Sequence, residues 1–415
     1  MLSKWSFHLP IQIEFGRGRA RQIGRLVAES GAFNHQSDRS VLLVGYRDCR
    51  ALDKAYAAAA DSLRAAGLRV DEFLEVVPEP DEAIADKGAE VARRLGSHIV
   101  LGLGGGSVID TAKGIAALAV NEAPLWEHST ANPDSRPIRR ALPIVAIPTT
   151  AGTGAEATSV AVFEQLGVGP TPHEPVKAIV YGPALAPALA VVDPAFMDSM
   201  PTDVAAACGA DALSHSVEVI TSRLANPICT SMAVESVRLL FQNLTAAIDP
   251  KNAANPKETK KAREAVTLAT TLSGIAVNGP GVTAAHAVSH ALGALLHIPH
   301  GKAVALAALP FLRFNTQACI ELYANLAKAC GLASDASPSP ASDEELAGRF
   351  VDQVDVLWQT LDLPQTLEQV DQVDRKDLVK RLVQNAADGT PLPLRNNARK
   401  VDGDSLEQIL ADIVS

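Results

Sequence analysis

The sequence predicts an α/β amino-terminal domain with an open, mostly parallel, Rossmann-like sheet, followed by an all-α helical carboxyl-terminal domain. Short apolar runs alternate with helix-like segments as far as residue 193, and after Pro194 nearly every periodic segment is helical. The 415 residues suffice for two domains. A composition of 47% hydrophobic but only 4% aromatic residues suits alanine-rich helices packed closely on a sheet. We place the domains at 1–198 and 199–415.

The first half alternates strands and helices in a regular order. Each predicted strand is a short apolar run, typical of a parallel strand buried on both faces, and each predicted helix is followed by a glycine. The elements are a strand at 40–45, a helix at 50–66, a strand at 69–73, a helix at 81–95 and a strand at 98–103. Two further strands are predicted at 143–147 and 189–193.

Charge and cysteine content exclude several classes of function. The net charge is −10 and no long basic run occurs, so nucleic acid is not an expected partner. Five scattered cysteines without a C-x-x-C pair indicate free thiols in a reducing compartment. The start of the chain lacks an apolar signal core and no uncharged run reaches the length of a bilayer span. We therefore expect a cytoplasmic protein with no membrane partner.

A glycine loop joins the strand at 98–103 to the following helix. Gly104, Gly105, Gly106 and Ser107 let backbone amides approach a phosphate, and the helix start adds partial positive charge. An alternative is a plain capped helix in which Ser107 and Asp110 form a capping box, although this leaves three successive glycines unexplained. A second loop after 143–147 carries Thr149 and Thr150, whose hydroxyls suit phosphate or ribose as well as an ordinary polar turn. Both loops follow the carboxyl ends of predicted strands, where such sheets bind ligands.

Four residues of the second half are candidate metal ligands. Asp211 and His215 are four residues apart, so one helix face carries both; His286 opens a similar pair with His290, and His300 follows. One carboxylate and three imidazoles can hold a divalent metal and leave room for a substrate oxygen. On these residues alone, incidental helical histidines remain an equally supported alternative.

The motifs occur together and in order, and the chain resembles the iron-containing (group III) alcohol dehydrogenase family, which has a dehydroquinate synthase-like fold. The resemblance also includes the segments Ile13-Glu14-Phe15-Gly16, Val192-Asp193-Pro194 and Pro299-His300-Gly301. It implies that Asp211, His215, His286 and His300 bind one divalent metal, usually iron(II) and sometimes zinc. It places His290 close to the metal without being a ligand, as a candidate for proton relay or substrate contact; the alternative is a packed helix residue.

The resemblance also implies an NAD(P) site. Gly104, Gly105, Gly106 and Ser107 would hold the pyrophosphate, Thr149 and Thr150 would contact the nucleotide, Lys177 would reach the ribose, and Asp110 would lie near the nicotinamide. The chain departs from the family at Ala155, where a serine is common, and at the end of the first strand. There, Val44-Gly45-Tyr46-Arg47 lacks the acid of NAD-preferring members. Gly45 leaves room and Arg47 can pair with a phosphate, which slightly favours NADP(H); the alternative for Arg47 is a solvated loop residue.

The resemblance implies an NAD(P)-dependent alcohol dehydrogenase or aldehyde reductase, acting by hydride transfer at a metal-polarised oxygen. Its partner would be a small-molecule alcohol or aldehyde, and homodimers are common in the family. Three alternatives stay open. One is a hydroxyacid–oxoacid transhydrogenase or another dehydrogenase on the same scaffold. The others are a lyase of the dehydroquinate synthase type and a nonenzymatic nucleotide-binding protein.

Overall fold

The computed structural model describes residues 4–30, 39–165, 174–249, 251, 255–333, 340–367 and 374–415. Its described residues form two compact units. The α/β unit comprises the described residues of 8–165 and 178–200, and the helical unit comprises those of 4–7, 174–177 and 201–415. Each unit is described by itself below.

The α/β unit carries the strands and the first four helices. The strands are β1 (Gln12–Phe15), β2 (Ser40–Tyr46), β3 (Arg69–Val76), β4 (Ile99–Gly104), β5 (Ile144–Pro148), β6 (Val160–Gln165), β7 (Val176–Tyr181) and β8 (Leu189–Val192). The helices are α1 (Ile23–Glu29), α2 (Asp53–Ala65), α3 (Glu82–Leu95) and α4 (Gly106–Leu118). Strand β7 begins in the helical unit, because the division falls between Lys177 and Ala178.

Six strands form a parallel sheet in the order β1-β8-β5-β4-β2-β3, and β6 and β7 form a separate two-stranded sheet. The chain moves outward from β2 to β3 and then returns to the other side of β2 with β4. The order therefore reverses between β2 and β4, which is where doubly wound sheets bind ligands. The predicted parallel sheet is confirmed, while β1, β6 and β7 were not among the predicted strands.

Strand β2 shows why the sheet is buried on both faces. Val41 and Leu43 belong to one apolar core with α1 and α2, whereas Leu42 and Val44 belong to another with α3 and α4. Successive side chains of a strand point to opposite faces, so an uninterrupted apolar run is needed when both faces are covered. This is the run that predicted the strand.

The helical unit carries ten helices among its described residues, in agreement with the predicted all-helical domain. They are α5 (Thr202–Thr221), α6 (Pro227–Ile248), α7 (Pro256–Val277), α8 (Ala284–Leu296), α9 (His300–Asn315), α10 (Ile320–Ala329), α11 (Asp343–Thr360), α12 (Arg375–Gly389), α13 (Pro391–Asn396) and α14 (Gly403–Val414). Helix α5 is buried along most of its length and packs against α6, α7 and α9. Helices α8, α9, α12 and α14 share an apolar core.

No single helix among the described residues is both long and apolar enough to cross a bilayer. One pair, 300–318 with 320–329, meets the length and composition requirement together and is bent by 116°.

Candidate active site

Three helices of the helical unit bring the predicted metal ligands together. Asp211 and His215 lie one turn apart on α5, His286 lies in the first turn of α8, and His300 is the first residue of α9. The Oδ1 atom of Asp211 is 3.3 Å from His286 Nε2, 3.6 Å from His300 Nε2 and 3.7 Å from His215 Nε2. The geometry thus gathers residues that are up to 89 positions apart in the sequence around one carboxylate oxygen.

The donor set fits a divalent metal. Ligand atoms about 2.1 Å from one ion lie about 3.4 Å from each other in a tetrahedral arrangement, and the three distances to Asp211 Oδ1 cluster around that value. Donor atoms of Asp211, His286 and His300 all lie within 4.8 Å of one another. His215 stands beside this triplet, with its ring stacked on that of His286 at 4.3 Å between centroids. Carboxylate and imidazole donors suit iron(II) and zinc alike.

Gly301 explains how α9 comes close enough to α5 for His300 to join the site. A β-carbon at position 301 would lie 2.7 Å from the carbonyl oxygen of Ala207 on α5, which is closer than atoms can pack. Helix α8 ends at His297 in the left-handed conformation, with φ of 54°, and Pro299 directly precedes α9. The short turn and the glycine together place the start of α9 against α5.

Opposite charges stabilise the buried carboxylates. Burial alone would raise the pKa of Asp211, but the imidazoles of His215, His300 and His286 outweigh it and hold that pKa below its usual value. Glu218 is likewise buried, and His286 with neighbouring donors keeps its pKa lowered despite burial. Both side chains are therefore ionised, which is the form that a cation requires.

His290 lies beside the metal group, as the resemblance implied. Its ring centroid is 5.5 Å from that of His300 and 6.3 Å from that of His286. Burial, followed by the imidazoles of His300 and His286, holds the pKa of His290 well below its usual value, so the ring is neutral. Its Nδ1 is buried without a hydrogen-bond partner among the described residues. A packed helix histidine would not be expected to leave that nitrogen unsatisfied.

Lys177 lies in the helical unit, close to α8. It is only 2% exposed. A β-carbon at position 293 would lie 2.5 Å from the Lys177 Nζ, which is too close for any residue other than glycine. Gly293 is three residues after His290, and the lysine charge is one of the causes that lower the pKa of His290. The glycine at 293 is thus explained by the close approach of a buried ammonium group.

The two predicted nucleotide loops are adjacent within the α/β unit. Gly104 at the end of β4 pairs with Pro148 at the end of β5, and Thr149 donates a backbone hydrogen bond of 2.9 Å to the Gly104 carbonyl. Close packing requires the glycines, because a β-carbon at Gly106 would lie 2.8 Å from the Thr153 side chain. At Gly105 it would lie 2.9 Å from the Tyr46 hydroxyl and 3.2 Å from Thr150.

The capping-box alternative for this loop is wrong. Helix α4 starts at Gly106 with Gly105 as its N-cap and no side-chain cap, so Ser107 already lies inside the helix. Asp110 instead accepts a hydrogen bond of 3.0 Å from the Val162 backbone on β6. Burial raises the pKa of Asp110 to about 6, although Lys113 and Val162 act against the shift. The first backbone amides of α4 consequently have no side-chain cap, as a phosphate-binding helix start requires.

The buried side chain of Lys113 holds the second loop, which follows β5, against α4. Its fully buried Nζ donates to the carbonyls of Ala155, Thr158 and Val160 at 2.8, 3.0 and 2.7 Å and to the Thr158 hydroxyl at 2.9 Å. Asp110 lies 4.0 Å away. Burial lowers the pKa of Lys113 to about 8. The ammonium group therefore ties the loop after β5 to α4, a role that the sequence motif did not reveal.

The end of β2 is more crowded than the sequence indicated. The space above Gly45 is filled by the Tyr56 ring and Leu74, each within 2.7 Å of where a β-carbon would be. The Tyr56 hydroxyl accepts a 2.9 Å hydrogen bond from the Tyr46 backbone. Arg47 is 3.8 Å from Glu75 in an exposed ion pair. The glycine is thus explained by packing within the unit, and Arg47 already has a carboxylate neighbour.

Sequence reasoning gave no role to Glu218, which accepts a 2.5 Å hydrogen bond from His286 Nδ1. A signal was present, because Asp211, His215 and Glu218 follow the i, i+4, i+7 spacing that places residues on one helix face. The significance of Gly301 was also missed, since its partner Ala207 is distant in sequence and unremarkable in type.

Comparisons with known proteins agree with these features. A family model described as iron-containing alcohol dehydrogenase matches residues 10–194, and one described as Fe-containing alcohol dehydrogenase family, C-terminal, matches 205–414. A choline dehydrogenase of Bacillus subtilis is 30% identical over 383 residues, covering 92% of this chain and 88% of the relative. An NAD-dependent methanol dehydrogenase of Bacillus methanolicus is 30% identical over 79% of this chain and 80% of its own length. A solved 1,3-propanediol oxidoreductase superposes with a TM-score of 0.84 at 28% identity, covering 98% of this chain and 99% of its own.

Proposed function

The chain belongs to the iron-containing alcohol dehydrogenase family, and from that membership we propose that it interconverts short primary alcohols and their aldehydes at a metal held by Asp211, His215, His286 and His300. It is a metal-dependent, nicotinamide-linked alcohol oxidoreductase, as its relatives are. The observation that carries the residue assignment is the convergence of four donor side chains from three helices. We propose iron(II) as the native ion.

The bound ion supplies Lewis-acid polarisation of the substrate oxygen. The bound nicotinamide supplies the hydride in reduction and takes it up in oxidation. The protein's own contribution is to orient these groups and to handle the proton. We propose that the neutral imidazole of His290 accepts the hydroxyl proton in alcohol oxidation and returns it in aldehyde reduction. Its unsatisfied nitrogen and its position 5.5 Å from the His300 ring support this role.

We propose that the nucleotide is held by Gly104, Gly105, Gly106, Ser107, Thr149 and Thr150, with Asp110 on the same helix turn. The adjacency of the two loops and the uncapped start of α4 support this. Lys177 is proposed to contact the ribose. Gly45 belongs to this proposal as the residue that lets Tyr56 pack under the end of β2.

A slight preference for NADP(H) is the finer part of the proposal. Arg47 directly follows β2, and the strand itself ends in Val44, Gly45 and Tyr46, without the acidic residue that would repel a 2′-phosphate. The ratio of kcat/KM for NADPH over NADH tests it directly. We expect Arg47→Ala to lower that ratio and Arg50→Ala, the matched exposed arginine, to leave it unchanged. A ratio below one in the unmodified enzyme contradicts the preference.

The substrate class is tested with methanol, 1-propanol, 1,3-propanediol and choline, each with NAD+ or NADP+ and with iron(II) or zinc supplied. The relatives named above act on methanol, propanediol or choline by their names, and we expect a short primary alcohol to give the highest kcat/KM. Choline is also a primary alcohol, so its turnover would fall within the proposed class, whereas turnover of none of the four alcohols would contradict that class. A mass near twice that of the chain is expected in solution, because we also propose a homodimer.

The metal assignment is tested separately. His300→Ala should abolish turnover and lower metal content while leaving nucleotide binding nearly intact, because His300 lies in the metal group and not in the nucleotide loops. His8→Ala is the control, since it removes an exposed histidine that belongs to the α/β unit. Retention of turnover and of metal by His300→Ala would show that the ligand assignment is wrong.

A further inference from the structure

Glu218 is a buried ionised carboxylate whose four hydrogen bonds divide between its two oxygens. Oε1 accepts from His286 Nδ1 at 2.5 Å and from the Ser214 hydroxyl at 2.7 Å. Oε2 accepts from the Thr283 backbone N–H at 2.6 Å and from the Thr283 hydroxyl at 2.8 Å. A buried carboxylate is stable only when it is satisfied in this way. Each oxygen therefore has its own partners, which are His286 and Ser214 for Oε1 and Thr283 for Oε2.

One oxygen fixes where α8 begins. Thr283 is the N-cap of α8 and makes no side-chain cap of its own. The Glu218 carboxylate of α5 instead accepts hydrogen bonds from both the backbone N–H and the hydroxyl of Thr283. A negative charge at a helix start is also favourable. Glu218 consequently fastens the start of α8, which carries His286, to α5, which carries Asp211.

The other oxygen fixes the orientation of the His286 ring. With Nδ1–H donated to Glu218, the other ring nitrogen, Nε2, faces Asp211 Oδ1, 3.3 Å away, and is the nitrogen available to a metal. A carboxylate in this position selects the tautomer that can bind a metal and makes the imidazole a stronger ligand. His215 provides an internal contrast, because its Nδ1 has no hydrogen-bond partner among the described residues.

The charges of the two buried carboxylates are a second reason to expect that Glu218 supports metal binding. Asp211 and Glu218 are only 2% and 5% exposed, and together they bring two negative charges to one buried site. A divalent cation balances them, whereas with Asp211 alone a positive charge would remain in a low-dielectric setting. The carboxylate that does not touch the ion thus contributes to holding it.

We propose that Glu218 is a positioning residue for the metal, acting through His286 by fixing its tautomer and its place on α8. The proposal rests on the proposed metal site. Glutamine at 218 offers one acceptor and one donor where four donors converge, so it cannot satisfy both His286 and Thr283. We expect Glu218→Gln to weaken metal binding about 10- to 100-fold, the usual effect of removing such a partner of a ligand histidine.

The experiment measures zinc affinity of the full-length metal-free protein by competition with a chelator, together with the visible spectrum of the cobalt(II) form. Thr221→Val is the matched control, because it removes one buried hydroxyl from the same helix, one that bonds the Val217 carbonyl at 3.0 Å. The control should bind zinc within about threefold of the unmodified protein and keep its cobalt spectrum. Glu218→Gln should lose affinity and change the spectrum.

The thermal midpoint of each metal-free protein separates folding from metal binding. If Glu218→Gln does not fold, Glu218→Asp keeps the charge but draws the carboxylate back by one methylene, and it should also lose most of the affinity. Unchanged zinc affinity in a folded Glu218 variant overturns the positioning role while leaving the metal site intact. Failure of the unmodified protein to bind any divalent ion overturns the proposed function, and the role of Glu218 with it.

Discussion

Replacing Lys113 with methionine tests how the second nucleotide loop is held. The substitution keeps most of the side-chain volume and removes the ammonium group that donates to Ala155, Thr158 and Val160. The acceptors are buried backbone and hydroxyl oxygens for which the lysine is the donor. The substitution should therefore destabilise the loop that carries Thr149 and Thr150.

The size of the effect follows from the contacts and the burial. The ammonium group has three hydrogens, shared among the four acceptors, and three hydrogen bonds from a charged donor contribute about 2 kcal/mol each, or about 6 kcal/mol together. Burying the ammonium offsets this by about 3 kcal/mol, which corresponds to the fall of its pKa from 10.5 to about 8. The net loss of unfolding free energy is about 3 kcal/mol, within the range of about 3 to 5 kcal/mol for breaking a buried ionic group's contacts.

Urea unfolding of the metal-free protein measures the loss, and Lys87→Met is the matched control. Lys87 is 54% exposed and pairs with Glu75 at the surface, so its replacement should cost less than about 1 kcal/mol. Dinucleotide affinity gives a second measurement, and we expect it to fall at least about tenfold for Lys113→Met. If both lysine variants unfold alike and bind the dinucleotide alike, Lys113 does not hold the loop and the reasoning is refuted.

Three further outcomes are expected. The raised pKa of Asp110, about 6 against 3.8 unfolded, means that its protonated form stabilises the fold at low pH and that this contribution is lost as pH rises through 6. As the pH rises from 3.5 to 7, the free energy of unfolding of Asp110→Asn should therefore increase by about 3 kcal/mol relative to that of the unmodified protein. The same pH dependence for both proteins in unfolding titrations would contradict the shift. Gly301→Ala should lower zinc affinity about tenfold, because the new methyl group meets the Ala207 carbonyl and displaces α9. Gly348→Ala, in open space on α11, should instead leave zinc affinity unchanged and raise the unfolding free energy by about 0.5–1 kcal/mol. Gly45→Ala should cost about 1–3 kcal/mol in thermal or urea unfolding, since its methyl group meets the Tyr56 ring; a neutral effect would mean that the ring moves freely.

The fold class was predictable because its signals are local. An apolar run such as 40–45 is typical of a strand buried on both faces, and the helix after it is followed by a glycine. The short edge strand β1 and the β6–β7 pair were not predicted. β1 is only four residues long, which is too short for a periodic signal. β7 shows no regular alternation of buried and partly exposed side chains, and β6, which does alternate, has only six residues.

The proposed metal ligands were named from the sequence by type, spacing and resemblance, and the structure gathers their side chains around Asp211 Oδ1. The capping-box alternative failed because a box depends on where the helix begins, and the sequence does not fix that to one residue. The start at Gly106 is decided by the strand pairing that ends β4 at Gly104 and by the second loop packed against it.

The sequence by itself determined which side chains are available: a glycine loop, a carboxylate and the histidines, on elements whose periodicity is local. Only the tertiary structure decided their relations. Three of these relations depend on contacts between distant segments. Glu218 accepts hydrogen bonds from both His286 and Thr283, and Lys113 holds a loop more than forty residues away. Gly301 allows α9 to pack closely against α5. Spacing along the chain reports one helix face or one strand, whereas these contacts form only when separate elements pack together.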